Sequence, residues 1–161
     1  MVETAGRKAT VTLPSDTQIL IMREFDAPRR LVYRAFTTPE LIKRWWGGRR
    51  GTVTLVELDL RVGGRWRYVL TTPQGFEAGF HGECLELVPE ERQVFTEVFE
   101  GYPGEAARNT ATWTDLGDRT LFTVLVEHSN QMARDAHLNS GMEGGMQEAY
   151  DLLEELAVSG A

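Results

Sequence analysis

The sequence has few of the residues from which metal and redox sites are built. It contains one cysteine, Cys84, and three histidines among 161 residues. A single cysteine cannot form an internal disulfide, and three scattered histidines do not make a dedicated structural zinc site. The sequence also lacks a Gly-x-Ser-x-Gly elbow, a Walker loop and a dinucleotide fingerprint. We therefore expect no metal and no cofactor, and no catalytic motif is recognisable.

Long apolar runs and an excess of positive charge are missing as well. No run approaches the ~20 residues that a membrane helix needs, and the N-terminus has no signal-peptide core. Seventeen Lys and Arg stand against 24 Asp and Glu, a net charge of −7. Such a chain is poorly suited to bind nucleic acids or anionic membranes. We expect a cytoplasmic protein with no nucleic-acid partner and no membrane insertion; a homodimer is compatible with the sequence.

The composition indicates one globular domain. Hydrophobic residues make up 42% of the chain and charged residues 25%, which excludes a disordered protein. Residues 1–16 are small and polar, and we predict a loose arm there with a short edge strand at ATVTL. A single domain is predicted over residues 17–158.

Two short helices are predicted after a first strand at residues 17–25. Asp26-Ala27-Pro28 is a helix start signal, and Thr38-Pro39-Glu40 repeats it with Thr38 as the cap. The second helix, PELIKRWW, ends at two glycines. It places Trp45 next to Trp46, and adjacent helical side chains point about 100° apart. The two rings therefore cannot both point straight into one core.

From Gly51 onward the apolar residues recur with a period of two. Six strands are predicted, at TVTLVEL, RWRYVLTT, EAGFHGECLELV, RQVFTEVFE, RNTATWTD and RTLFTVLVEH. Short breaks between them indicate antiparallel hairpins. A polar stretch, 129–137, precedes a long terminal helix whose apolar stripe comprises Leu138, Met142, Met146, Ala149, Leu153 and Leu156. The pattern predicts an α+β fold in which a curved antiparallel sheet of about seven strands wraps around the long C-terminal helix.

Several segments, in this order, resemble one known family. They are FDAPRRLVYRAFTTPELIKRWW, DLRVGGRWRY, FHGECLELVPEERQVFTEVFE, GDRTLFTVLVEH and GMEGGMQEAYDLLEEL. Over about residues 17–157 the chain is similar to the activator-of-heat-shock-protein-90-ATPase-like family of the START-like, or birch-pollen-allergen-like, superfamily (SRPBCC). The resemblance implies a helix-grip fold with a deep cavity between sheet and terminal helix. Two departures are Gly145-Met146, where the family often has Gly-Trp, and the lack of the adaptor segment of the eukaryotic chaperone activator.

We expect the cavity to bind a small hydrophobic or amphipathic molecule. One tryptophan of the pair is expected to point inward and the other to lie at the rim, unless both simply fill the core. The Tyr68 hydroxyl would bond either a ligand or a backbone carbonyl. The predicted wall comprises Trp45, Trp46, Trp66, Tyr68, Phe80, Phe95, Trp113, Met142, Met146 and Tyr150.

Two rival functions remain open at this point. The first is an enzyme of cyclase, dehydratase or hydrolase type that uses Tyr68, His81 or Glu83, and a carboxyl group with a raised pKa inside the cavity would favour it. His81-x-Glu83 is equally compatible with an exposed strand face. The second rival is a module that regulates a chaperone ATPase, which an exposed apolar patch would favour. His137 is expected in solvent near the start of the last helix.

Overall fold

The structure is a computed structural model that describes residues 8–102 and 104–160. Residues 1–7 of the predicted arm lie outside the described residues. Strand β1 (Thr10–Thr12) pairs with the next strand of the sheet. The backbone N–H of Ala9 donates a hydrogen bond of 3.1 Å to Gln147 Oε1, and the backbone carbonyl oxygen of Ala9 accepts one of 2.8 Å from Gln147 Nε2. The chain around residue 10 is therefore joined both to the sheet and to the C-terminal helix.

Within residues 8–102 and 104–160, eight strands form one antiparallel sheet in the order β1-β2-β8-β7-β6-β5-β4-β3. Apolar and polar residues alternate along them, so each strand presents one face to the core. The predicted strands are all present, and the count exceeds the expected seven by the short edge strand. After β1 the strands are β2 (Gln18–Phe25), β3 (Thr52–Leu58), β4 (Arg65–Thr71), β5 (Glu77–Val88), β6 (Arg92–Phe99), β7 (Ala107–Asp115) and β8 (Thr120–Glu127).

The described residues form four helices. Thr38 is the N-cap of the second helix and Pro39 its first residue, as predicted, although the Thr38 side chain makes no cap hydrogen bond. The first helix begins after Pro28, whose fixed φ suits the N-cap position. The helices are α1 (Arg29–Thr37), α2 (Pro39–Trp45), α3 (Gln131–Leu138) and α4 (Met142–Ser159).

The predicted polar stretch before the terminal helix is itself helical, which corrects the sequence-based prediction. The side chain of Asn130 caps α3 by accepting a hydrogen bond of 2.8 Å from the backbone N–H of Ala133. Gly141, with a φ of 85°, then separates α3 from α4. Leu138 therefore ends α3 instead of belonging to the terminal stripe. Four of the eight residues of α3 are polar, which concealed the helical period here.

The core lies between the inner face of the sheet and α4. Ala149, Leu153 and Leu156 of α4 are buried in it. A smaller buried cluster lies on the neighbouring strands β4, β5 and β6 and comprises Trp66, Cys84 and Phe95. None of the helices in the described part of the chain has the length and apolar character needed to cross a membrane.

Candidate functional site

A cavity of about 350 Å³ lies between the inner face of the sheet, α2 and α4. This volume falls within the range of small-molecule pockets. Most of its wall is apolar, and nine aromatic side chains contribute to it. These are Phe36, Trp45, Trp46, Trp66, Tyr68, Phe95, Trp113, Phe122 and Tyr150.

Trp45 and Trp46 lie at one end of this cavity and differ in burial and in contacts. Trp45 is 5% exposed, and its indole N–H donates a hydrogen bond of 2.8 Å to the carbonyl oxygen of Ala35. Trp46, at the C-terminal end of α2, is half-buried and meets the Tyr68 ring edge to face at 5.3 Å. Both rings line the cavity. Trp45 is thus held in place by its polar atom, while Trp46 lies nearer the surface.

Nine of the ten residues predicted for the pocket wall line the cavity, and Phe80 does not. Phe80 pairs with Tyr68 across β4 and β5. Its ring contacts Trp46 at 5.1 Å and Phe99 at 5.1 Å, so neighbouring aromatic rings occupy the surface that would otherwise face the cavity. The structure brings the other nine together, and their role in ligand binding remains a prediction.

The polar part of the wall centres on Glu97. Gln93, Phe95 and Glu97 alternate along β6, so they share the face that lines the cavity. Asn109 on β7 lies directly opposite Phe95 and diagonal to Glu97. Its side-chain N–H donates a hydrogen bond of 2.7 Å to Glu97 Oε1. Burial raises the pKa of the Glu97 carboxyl, and the Asn109 bond offsets this only in part.

Two tyrosine hydroxyls share this environment. Burial, and then the charge of Glu97, raise the pKa of both Tyr68 and Tyr150. Hydrogen bonds from other described residues contribute to neither shift. Both phenols therefore remain available to a molecule in the cavity.

His137 lines the cavity, contrary to the expectation that it lies in solvent. It sits at the end of α3, and its Nδ1 is 3.0 Å from Nε2 of His128 at the end of β8. Burial lowers the pKa of both rings, and the neighbouring histidine lowers that of His128 further, to about 4. One ring must therefore donate and the other accept in the neutral pair.

His81 and Glu83 lie on the other face of the sheet, where both are exposed. His81 Nδ1 contacts Glu100 at 2.8 Å, and Arg67 forms two hydrogen bonds with the same carboxylate, at 2.8 and 2.9 Å. The Arg67 bond and then the His81 bond lower the Glu100 pKa to about 2. Within residues 8–102 and 104–160 no three His, Cys, Asp or Glu side chains are grouped as metal ligands. His81 is thus a member of a surface ion-pair cluster and does not reach the cavity.

The two glycines near the start of α4 have different surroundings. A Cβ on Gly144 would lie 2.6 Å from the guanidinium of Arg50, whereas one on Gly145 would meet only Arg50 Cζ at 4.0 Å. No atom of the sheet in the described part of the chain lies within 4 Å of either Cβ position. Gly145 lines the cavity, so the space beside it belongs to the pocket.

Sequence analysis missed the polar wall. Phe95 was recognised as a wall residue, and the period of two along β6 places Glu97 on the same face. That signal was available in the sequence, but a charged residue near a strand end is usually solvated. The same period places Gln93 on the face of Phe95 and Asn109 on the face of Trp113. The sequence gives no signal that Asn109 meets Glu97, because that contact depends on strand pairing.

Comparison with known proteins agrees with this architecture. Residues 26–157 match the family described as Activator of Hsp90 ATPase homolog 1-like protein. A crystal structure from Rhodobacter sphaeroides has 26% identity and a TM-score of 0.88, covering 94% of this chain and 99% of that one. A Nitrosomonas europaea protein (26% identity, TM-score 0.82, 91% and 97% coverage) is similar too.

A third solved structure, from Mycobacterium smegmatis, has 26% identity and a TM-score of 0.82, with 92% of this chain and 96% of that chain covered. Comparison with curated proteins gave no match. The family match covers more than half of the chain, and the solved structures share its sheet and helices. The chain therefore belongs to the Activator of Hsp90 ATPase homolog 1-like family and has the helix-grip fold of the SRPBCC superfamily.

Proposed function

We propose that this protein binds a small hydrophobic or amphipathic molecule in the cavity between the sheet and α4. The observation that carries the proposal is a cavity of about 350 Å³ whose wall is largely aromatic. Burying apolar ligand surface against such a wall is favourable by ~25 cal/mol per Å² before the costs of association. A close-packed core without a cavity would have no space for a ligand, and this gain could not be realised.

The polar groups of the wall support an amphipathic ligand over a purely apolar one. Glu97 and Asn109 form one polar position, and the hydroxyls of Tyr68 and Tyr150 lie in the same environment. Ligand pockets commonly combine an apolar wall with a few polar groups that fix orientation. The ligand would place its polar group at Glu97 and its apolar body against the rings.

An apolar fluorophore tests the proposal directly. We expect one site per chain and quenching of tryptophan fluorescence on binding. Ala111 lines the cavity. The Ala111→Leu variant should lose fluorophore binding, because the larger side chain occupies space that the ligand needs. Thr114→Leu is the matched control, since Thr114 is exposed on the same strand. Binding that is unaffected by Ala111→Leu, or no binding across a chemically broad apolar panel, would contradict the proposal.

An enzyme that uses the same cavity is the second candidate, and Glu97 favours it. Its carboxyl has a raised pKa and lines a largely apolar pocket, as suits a general acid or base. In such an enzyme, Glu97 exchanges a proton with the substrate, and His81 and Glu83 do not. Native mass spectrometry of freshly purified protein would identify a retained molecule. Conversion of that molecule by the wild type but not by Glu97→Gln would establish the enzyme.

A further inference from the structure

The charges around the cavity are unbalanced. Glu97 is the one acidic residue of its wall, and no Lys or Arg among the described residues lines it. Burial lowers the pKa of His137, so this ring does not supply a positive charge at neutral pH. The guanidinium of Arg23, whose charge acts on Tyr150, is bonded to Asp151 at 2.7 Å and to Glu154 at 3.1 Å. The guanidinium of Arg50, beside Gly145, is bonded to Glu148 at 3.3 Å. An ionised Glu97 would therefore have no positive partner from the protein.

Two further oxygens add to this imbalance. The side-chain oxygens of Gln93 and Asn109 are buried and have no hydrogen-bond partner among the described residues. Both residues line the cavity, on the two strands that also carry the Glu97–Asn109 bond. Unpartnered carbonyl oxygens place the negative ends of their dipoles in the wall. A buried polar group without a partner is costly, so a ligand of positive charge would gain from them.

The aromatic wall favours the same kind of ligand. Trp66 and Tyr68 lie 4.8 Å apart, and Trp46 meets Tyr68 at 5.3 Å, beside the wall that holds Glu97. Tyrosine and tryptophan faces attract organic cations, most strongly when water is excluded. An anionic head group would instead meet Glu97 with no basic side chain to offset the repulsion.

We infer that the molecule bound in this cavity is an amphipathic amine, whose ammonium group pairs with Glu97 while its apolar body lies against the aromatic wall. This inference rests on the proposed ligand binding and specifies the class of ligand. Hydrogen bonds and ion pairs with a charged partner are stronger than those between neutral groups. The pairing supplies Glu97 with the positive partner that the protein itself does not provide.

Proton uptake and release should accompany this binding. Tyr68 on β4, Tyr150 on α4 and His137 on α3 are the titratable groups that share the cavity wall with Glu97. The tyrosines stay neutral because their pKa values are raised, and His137 stays neutral because its pKa is lowered. Near neutral pH, Glu97 is therefore the group of this wall whose charge a ligand can change. An ammonium ion favours its ionised form, so amine affinity should rise as pH increases.

The test compares two probes that differ only in the head group, 1-naphthylmethylamine and 1-naphthalenemethanol. Isothermal titration calorimetry on the full chain should show at least about 10-fold tighter binding of the amine, as expected for one charged hydrogen bond. Glu97→Gln keeps the oxygen that accepts the Asn109 bond but cannot become negative. It should abolish the preference for the amine, so that this variant binds the amine and the alcohol with similar affinity. Glu83→Gln, on the exposed face, is the matched control.

The outcomes separate this inference from the proposed function. Equal binding of amine and alcohol, or a preference that survives Glu97→Gln, would overturn the amine assignment while leaving cavity binding in place. Binding of neither probe, together with no binding of apolar fluorophores, would overturn both. The permanent cation (1-naphthylmethyl)trimethylammonium adds a second readout, because it does not titrate. Its affinity for the wild type should rise with pH and should be independent of pH in Glu97→Gln.

Discussion

The guanidinium of Arg23 on β2 donates a hydrogen bond of 2.7 Å to Asp151 on α4, and its other terminal nitrogen donates to Glu154 at 3.1 Å. The Arg23 side chain is 1% exposed, whereas those of Asp151 and Glu154 are 61% and 20% exposed. The buried member of this ion-pair network is therefore the cation. The network joins the terminal helix to the sheet at the end of the core.

Stability should depend on which side of this network is removed. Arg23→Met eliminates the buried charge and keeps an apolar stem, and the two carboxylates can be solvated, so we expect a loss of about 1 kcal/mol or less. The double variant Asp151→Asn/Glu154→Gln leaves the buried guanidinium without a negative partner and should cost about 3 kcal/mol or more. Urea melts of both variants measure the difference. A larger loss for Arg23→Met than for the double variant would contradict this reading.

Met146 tests the extent of the cavity. It lines the pocket on α4, where the family often has tryptophan. If the adjacent space is open, Met146→Trp adds a ring into it, and the variant should be as stable as the wild type or slightly more stable, with weaker binding of apolar ligands. A close-packed environment would instead cost ~1–3 kcal/mol through overpacking. Urea melts read beside fluorophore binding decide between the two, and a large loss of stability with intact binding would move the pocket elsewhere.

The His128–His137 pair predicts a dependence of stability on pH. The pKa of His128 is about 4 in the folded protein against 6.5 ordinarily, so between these values the unfolded chain binds a proton that the folded chain does not. The free energy of unfolding should therefore fall as pH decreases from 6.5 towards 4. Because His128 is partly solvated, we expect its share to be ~1–2 kcal/mol.

His128→Gln, which retains a group able to bond His137, should flatten that part of the pH profile. Denaturant melts across the same range, compared with the wild type, isolate the histidine contribution from the carboxyl groups. His137→Asn should act in the same direction, since burial lowers the pKa of that ring as well. Parallel wild-type and variant profiles would show that the pair does not contribute.

Metal removal should leave the protein unchanged. The described residues 8–102 and 104–160 hold no group of three side chains suited to a metal ion, and His81 bonds Glu100 on the surface. Thermal melting should therefore be the same before and after treatment with a chelator. A melting temperature several degrees lower, restored by zinc, would show that a ligand set was overlooked.

The family name raises the question whether this protein stimulates a chaperone ATPase. The conspicuous feature of this fold is an internal cavity with a largely aromatic wall. We predict no stimulation of a purified heat-shock-protein-90 ATPase by this protein. A dose-dependent rise in the ATPase rate would instead rank the interaction module above ligand binding.

Much of the architecture follows from local patterns. Alternation along the strands predicts their positions and faces, and Thr38-Pro39 marks the start of α2, because these signals depend on residues close in sequence. The apolar stripe of the long terminal helix predicts a sheet wrapped around it, and the resemblance to the family implies the same fold. The same patterns place nine of ten predicted wall residues at the cavity. Local signals failed where a polar surface masked the period of α3.

The amino-acid sequence by itself thus determined the strands, the start of α2 and the aromatic face of the sheet. Tertiary structure alone decided that Asn109 meets Glu97, that His137 reaches the pocket and that Phe80 is covered by Trp46 and Phe99. These relationships depend on strand register and on elements far apart in the chain. The period of a strand or helix indicates which face a side chain lies on. Its contacts depend on distant residues that folding brings opposite it, and those contacts set its charge state and its chemistry.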